Sequence, residues 1–288
     1  MKILDGKEVA HVRRTRLRER VNKLQRTKGR APGLAVILVG DDPASQVYVA
    51  HKIKACAEAG IQSFEHRLSA TVTAHELRLT IEGLNENPLV DGVLLQLPLP
   101  GHLDAEEAIA WIAPAKDADC LTPANLGRLW MGRPLTTPCT PWGVMAILEH
   151  YGISPEGRHA VVVGRSNIVG KPMAHLLLRA NATVTVCHSR TKDLKAFTRA
   201  ADIVVVAAGK PEFLGLGDFK AGGVVIDVGI HRKPSTVEGA KSRLCGDVRL
   251  KEIEDVIAAG TPVPGGVGPM TITMLLENTL CLAEAGSP

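Results

Sequence analysis

Several short stretches of this 288-residue chain hold side chains whose type and spacing suit chemistry. In VVVGRSNIVGKP, Gly164 closes an apolar run, Ser166 follows two residues on, and Gly170 opens a helical pattern. A bound phosphate needs a tight turn, close backbone approach and N–H groups at a helix start. Gly164 and Gly170 suit the first and last of these. Ser166 departs from G-x-G-x-x-G, and the spacing alone also describes an ordinary strand-to-helix turn. The following strand ends Cys187-His188-Ser189-Arg190-Thr191-Lys192, with no carboxylate in the turn. An acidic residue there would accept from a ribose 2′-hydroxyl. Arg and Ser would instead hold a 2′-phosphate, so the stretch reads as favouring NADP over NAD.

A second group is polar residues in apolar company. Tyr48 and Lys52 stand one turn apart on one helical face. In short-chain dehydrogenases such a pair follows the nucleotide-binding glycines, whereas here it precedes Gly164, so that assignment fails. Alone, the pair describes a helix surface. Gln96 interrupts Val93-Leu94-Leu95-Gln96-Leu97 at the carboxyl end of a strand, where open parallel sheets place ligands. Lys116-Asp117-Ala118-Asp119 opens a loop-rich passage, and an aspartate capping a helix is the plain alternative there. His51, His66 and His188 are read as non-catalytic.

The elements that must position these residues follow from hydrophobic periodicity. Residues 9–28 read as a helix, 34–40 as a buried strand, 44–59 as a helix, 62–68 as an alternating strand, 73–86 as a helix and 91–100 as a strand. This β-α-β-α-β order implies a parallel sheet covered on both faces. The Pro- and Gly-rich passage from Pro114 to Pro141 reads as a crossing between domains. A second series has strands at 159–164, 182–188, 201–209 and 223–229, helices at 170–180 and 191–200, and a closing helix near 270–284. The expected fold class is two α/β domains flanking a cleft, the second a Rossmann-like parallel sheet. The expected division is 1–120 plus 270–288 against 121–269.

Composition narrows the function. Hydrophobic residues make up 45% and charged residues 22%, as in globular proteins. A net charge of +4 and only nine aromatics argue against nucleic-acid binding, although the basic residues between Arg13 and Arg30 keep an RNA-binding arm in view. The six cysteines show no metal-ligand spacing, so no metal site is expected and the thiols read as reduced. The N-terminus lacks the pattern of a signal peptide and no apolar run suits a membrane span, so a cytoplasmic protein is expected.

The segments YVAHKIKACAEAGI, DGVLLQLPLP, KDAD, PCTPWGV, GRSNIVGKP and TPVPGGVGPMT, in this order, resemble the bifunctional methylenetetrahydrofolate dehydrogenase/cyclohydrolases over residues 1–283. The resemblance implies that NADP⁺ oxidises 5,10-methylenetetrahydrofolate and that the methenyl product is hydrolysed to 10-formyltetrahydrofolate, in one-carbon metabolism and purine biosynthesis. It implies Lys52 as general base, Gln96 fixing it, Tyr48 stacking on the pterin and Asp119 accepting from pterin N–H groups. It adds Leu97, Pro98, Pro264, Gly265, Gly266 and Val267 as folate contacts. Gly164, Arg165, Ser166, Ile168, Ser189, Arg190 and Ile230 become NADP contacts. A homodimer through the nucleotide domain is also implied. Cys120 departs from the family, which has glycine after the aspartate, and a side chain there would tilt the Asp119 loop. The alternatives are a monofunctional dehydrogenase of the same fold, a nucleotide-sensing protein and an RNA-binding protein.

Overall fold

The computed structural model describes residues 1–233 and 243–286. The chain opens with strand β1 (Lys2–Ile3) and helix α1 (Gly6–Lys28). Next come β2 (Gly33–Val39), α2 (Pro43–Ala59), β3 (Gln62–Leu68), α3 (Ala74–Glu86), β4 (Gly92–Leu95), α4 (Ala105–Ala110) and α5 (Pro123–Trp130). The second series runs α6 (Cys139–His150), β5 (His159–Val163), α7 (Gly170–Arg179), β6 (Thr183–Cys187), α8 (Leu194–Ala200), β7 (Ile203–Val206) and β8 (Val224–Asp227). It ends with β9 (His231–Lys233), β10 (Arg243–Cys245), β11 (Ala259–Gly260) and α9 (Val267–Ala285).

The chain forms two compact units, Val12–Cys139 with the chain from Ile272 onward, and Met1–His11 with Thr140–Thr271. This differs from the expected division at the N-terminus, because β1 pairs in parallel with β11 and so joins the sheet of the second series. It differs again after residue 120, because α5 and its flanking turns pack with the first series up to Cys139. The passage 114–141, read as a crossing, therefore holds a complete helix. Thr122 caps that helix by accepting from Asn125 N, and Pro123 occupies its first turn, where a missing N–H costs nothing.

In the first unit three parallel strands lie in the order β3-β2-β4. All seven residues of the central β2 are buried, as a strand covered on both faces requires, whereas the edge strand β3 is half-exposed. Ile37, Leu77, Ile81 and Leu95 belong to the core beneath α3. The strand expected over 91–100 is paired only from Gly92 to Leu95, and a cis Leu97–Pro98 peptide follows. In the second unit six parallel strands run β1-β11-β8-β7-β5-β6. The chain reverses its direction of travel across this sheet between β5 and β7. That is the switch point, at whose carboxyl ends doubly wound sheets hold ligands. An antiparallel pair, β9 with β10, is separate from the sheet.

Candidate active site

Helix α2 explains how a lysine comes to be buried. Asp42 caps it by accepting from Ser45 N at 2.7 Å, and Gly60 ends it at φ 78°. Its buried residues, Ser45, Val49, Lys52, Ala55, Cys56 and Ala59, recur at helical spacing, so Lys52 stands in the middle of the inward face. Lys52 is 8% exposed, and its Nζ donates to Gln96 Oε1 at 2.8 Å. Gln96 follows β4 directly and its own N donates to Ile37 O at 2.9 Å, extending the ladder by one residue. Its Nε2 donates to Leu97 O at 2.6 Å, which leaves Oε1 to face the lysine. Tyr48, one turn before Lys52, is half-buried, and burial raises its phenol above the usual range.

Asp117 and Asp119 divide two tasks. Asp117 is 1% exposed and pairs with Val93 of β4 in an isolated parallel bridge. Its carboxylate accepts from Leu121 N at 3.1 Å, Thr122 N at 2.8 Å, Thr122 Oγ1 at 2.7 Å and Asn125 Nδ2 at 3.0 Å. It is therefore the structural aspartate. Asp119, two residues on, acts electrostatically on Lys52. Burial lowers the Lys52 ammonium from its ordinary value, outweighing the pull of Asp119 in the opposite direction. Burial likewise raises Asp119, against the opposing influence of Lys52 and a hydrogen bond with Cys139. Burial thus pushes each member of the pair toward its neutral form.

Sequence reading missed the residues that hold this loop. Asn278 of α9 donates from Nδ2 to Ala118 O and Thr137 O, both at 2.8 Å, and accepts from Thr137 N at 3.2 Å. An amide and three threonines inside the largely apolar α9 were the available signal. Cys120 has φ 57° and donates from Sγ to Thr136 O at 3.1 Å.

In the other unit a pocket of about 250 Å³ lies at the carboxyl ends of β5, β6 and β7. Gly164 adopts φ 136°, and a Cβ there would stand 2.2 Å from Ala207 O, so only glycine lets the β5 and β7 ends approach. A Cβ on Gly170 would meet Gly164 O at 2.3 Å. Ser166 Oγ accepts from Val169 N at 3.2 Å and Gly170 N at 3.3 Å. The serine thus takes up helix-start N–H groups that were expected to face a phosphate. Arg165, Ser166, His188 and Ser189 line the pocket, while Ile168, Arg190 and Ile230 are exposed and lie outside its lining. The turn after β6 is fixed by Arg190 N donating to His188 Nδ1 at 3.1 Å and His188 N donating to Thr191 Oγ1 at 2.9 Å. The nearest carboxylate after that turn, Asp193, caps α8 by accepting from Ala196 N.

The remaining expected residues also fall in two places. Leu97 and Pro98 follow Gln96 in the first unit, whereas Pro264 to Val267 belong to the second. Val263–Pro264 is cis, Gly265 has φ 108°, and a Cβ on Gly266 would meet Pro262 O at 2.5 Å.

A buried lysine on an amide oxygen and a glycine cradle at a sheet switch point give two sites of different chemistry. Residues 4–119 match the family model described as tetrahydrofolate dehydrogenase/cyclohydrolase, catalytic domain, and residues 138–287 match the NAD(P)-binding domain of the same enzymes. The chain belongs to the tetrahydrofolate dehydrogenase/cyclohydrolase family. It is 55% identical to the bifunctional protein FolD of Bdellovibrio bacteriovorus over 98% of this chain and 96% of that one. It is similar to the crystal structure of bifunctional FolD from Campylobacter jejuni, with 47% identity, a TM-score of 0.92 and 99% of each chain covered. The FolD of Trypanosoma brucei, solved with NADP cofactor and an inhibitor, is 43% identical with a TM-score of 0.93, covering 98% of this chain and 97% of that one. Membership makes the chain an enzyme of folate chemistry, with its buried lysine in the catalytic domain and its glycine cradle in the NAD(P)-binding domain.

Proposed function

We propose that this enzyme oxidises 5,10-methylenetetrahydrofolate with NADP⁺ and hydrolyses the methenyl product to 10-formyltetrahydrofolate, with Lys52 as the base of the second step. The observation that carries the reading is Lys52, buried, lowered in pKa and donating to Gln96 Oε1. NADP⁺, when bound, supplies the hydride acceptor. The pocket walled by Gly164, Arg165, Ser166 and Ser189 has the backbone clearance and the basic and hydroxyl groups that a nucleotide with a 2′-phosphate requires.

The first step needs positioning more than acid–base help, because the folate nitrogens stabilise the methenyl cation. Tyr48 stacks on the pterin and Asp119 accepts from its N–H groups. In the second step water adds to the methenyl carbon and Lys52 takes one of its protons; the C–N5 bond then breaks as the remaining hydroxyl proton is transferred to N5, leaving the formyl group on N10. A cationic substrate beside Lys52 lowers its proton affinity further, in the direction burial already sets. Gln96 presents only its carbonyl oxygen, so it orients the amine without adding charge. The family resemblance extends folate binding to Leu97, Pro98, Pro264, Gly265, Gly266 and Val267, and NADP binding to Ile168, Arg190 and Ile230. The product is a formyl donor of the kind purine biosynthesis consumes.

A cytoplasmic homodimer completes the proposal. All six cysteines are free, in keeping with a reducing compartment. Strand β6 is an edge of the six-stranded sheet, and Val186 on it and Leu178 on α7 are exposed, as a face awaiting a second copy would be. Among the described residues no helix is long and apolar enough to cross a membrane. The test is absorbance at the methenyl band with methylenetetrahydrofolate and NADP⁺, then methenyl hydrolysis without nucleotide. Both activities are expected. Oxidation without hydrolysis would leave the monofunctional dehydrogenase. Light scattering at twice the chain mass checks the dimer.

A further inference from the structure

Two carboxylates that this reading does not use lie behind the nucleotide pocket. Asp227 ends β8 at 3% exposure, and Asp247 follows β10 at 0%. A buried carboxylate persists only if its oxygens are met by donors. Asp227 Oδ1 accepts from Gly229 N and Asp247 N, both at 2.9 Å, and Oδ2 accepts from Val248 N at 2.9 Å. Asp247 Oδ2 accepts from Ala208 N at 2.6 Å and Gly209 N at 3.0 Å, and its Oδ1 accepts from Lys210 N at 2.9 Å and His231 Nε2 at 2.6 Å. Three successive amides closing on one anion, with Gly209 at φ 66°, form a nest of the type that binds phosphate. Here the protein's own carboxylate fills it.

The close approach is built in. A Cβ on Gly246 would stand 1.9 Å from Asp227 Oδ2, and one on Gly229 would stand 2.4 Å from Asp247 Oδ1. Most of the donors are neutral amides, and burial pushes Asp227 up to about 6, so the arrangement costs stability that simple packing would not require. What it holds is the pocket. Ala208 and Lys210 line it together with Arg165 and Ser189. Ile230 lies between Gly229, whose N–H is held by Asp227, and His231, whose ring is held by Asp247.

We infer that Asp247, supported by His231, is a positioning residue for the nucleotide: it sets the loop Ala208–Lys210, and with Asp227 it sets Ile230, relative to the glycine cradle at Gly164. The inference rests on reading that pocket as the NADP site. It is tested with His231→Leu, which removes the donor, His231→Gln, which restores one, and Asp247→Asn, which replaces half the acceptor with a donor. His231→Leu should raise the NADP⁺ KM of the dehydrogenase about ten-fold, the size of one charge-assisted hydrogen bond. Methenyl hydrolysis, which needs no nucleotide, should stay within about two-fold of the parent. His231→Gln should recover most of the lost affinity. Asp247→Asn should lose more than His231→Leu, judged only if its circular dichroism matches the parent. NADPH fluorescence titration of the parent separates the two failures. If the parent does not bind NADPH, the pocket reading falls and takes this inference with it. If the parent binds and His231→Leu binds equally well, the positioning role alone is overturned. Equal loss of both activities in His231→Leu without recovery in His231→Gln overturns it in favour of a purely structural role.

Discussion

The two units use positive charge in opposite ways. Lys52 lies on the inward face of α2, with a neutral amide as its hydrogen-bond partner and burial working against its charge. Arg165 and Lys210, which line the pocket of the other unit, and Arg190, in the turn after β6, are all exposed. On the proposed function Lys52 must give up its proton, and it is placed where burial disfavours the ammonium. Arg165 and Arg190, proposed to meet the 2′-phosphate, are left in solvent as guanidinium groups, which do not deprotonate in proteins. On that proposal, lysine at 52 and arginine at 165 and 190 suit the chemistry asked of each.

The largest expected effect breaks the buried half of that contrast. Lys52→Met keeps the stem's packing and removes the base, and Lys52→Arg keeps charge but cannot accept a proton. Methenyl hydrolysis should fall by at least ~100-fold in both, the size of general-base effects. NADPH binding should not change. Hydrolysis by the parent should rise with pH through a value below lysine's ordinary range. Stability has the same sign: the unfolded chain binds the proton more tightly than the folded one. Unfolding free energy should therefore increase with pH from the lowered Lys52 value up to that of a free lysine. Lys52→Met should flatten that slope and melt higher than the parent at neutral pH. A parent rate surviving in Lys52→Met removes Lys52 from the mechanism.

Next in size is the exposed half. Arg165→Ala should reduce the preference for NADP⁺ over NAD⁺ by about ten- to hundred-fold, as expected for one or two charge-assisted bonds to a 2′-phosphate. The measurement is kcat/KM with each cofactor. A loss shared equally by both would mean that Arg165 shapes the loop after Gly164 and does not read the phosphate.

How much of this was legible in the sequence depends on where the partners lie. The central parallel strands β2, β5, β7 and β8 announced themselves as apolar runs, because both their faces are covered, and the edge strands β3 and β6 as alternation. β1 and β11 did not, since two residues carry no periodicity, and their pairing joins opposite ends of the chain. Tyr48 and Lys52 were readable as one helix face, but the burial of Lys52 depends on β4 and the Asp117 loop, which periodicity within α2 cannot report. Only the family resemblance singled it out. Asn278 and Asp247 were invisible for a related reason, and Asp117 was legible only as one of two aspartates of which one could be structural. Their partners are largely backbone groups, which look alike in any sequence, and Asn278 finds Ala118 across 160 positions. The Cys120 departure, by contrast, was plain from sequence, and its consequence was not.

Asp119→Ala should act at an intermediate scale. Removing a charged acceptor from buried donors should weaken folate binding about ten-fold. NADPH affinity should hold, which sharpens the division between the two units. Equal loss of both ligands would indicate misfolding.

The smallest effect concerns Cys120, and it compares two left-handed residues, one in each unit. At Gly164 no side chain fits, since Ala207 O occupies the space. At Cys120, with φ 57°, a side chain is present, fully buried and bonded from Sγ to Thr136 O. A left-handed conformation costs a non-glycine residue about 1–2 kcal/mol. Cys120→Gly would remove that cost. It would also vacate a packed site, lose the weak bond to Thr136 and add backbone freedom to the unfolded chain, which together cost a similar amount. The sum should lie within about 1 kcal/mol of zero, so the melting temperature should move by no more than about 2–4 °C. Asp119 should stay where it is, because Asp117 on one side and Asn278 on the other hold its loop without help from residue 120. The folate KM should accordingly change by less than about two-fold, well under the 1.4 kcal/mol that a decade represents. A much tighter KM in Cys120→Gly would show that the thiol does tilt the loop, as the sequence alone led us to expect, and that the clamp around Asp119 is weaker than its hydrogen bonds indicate.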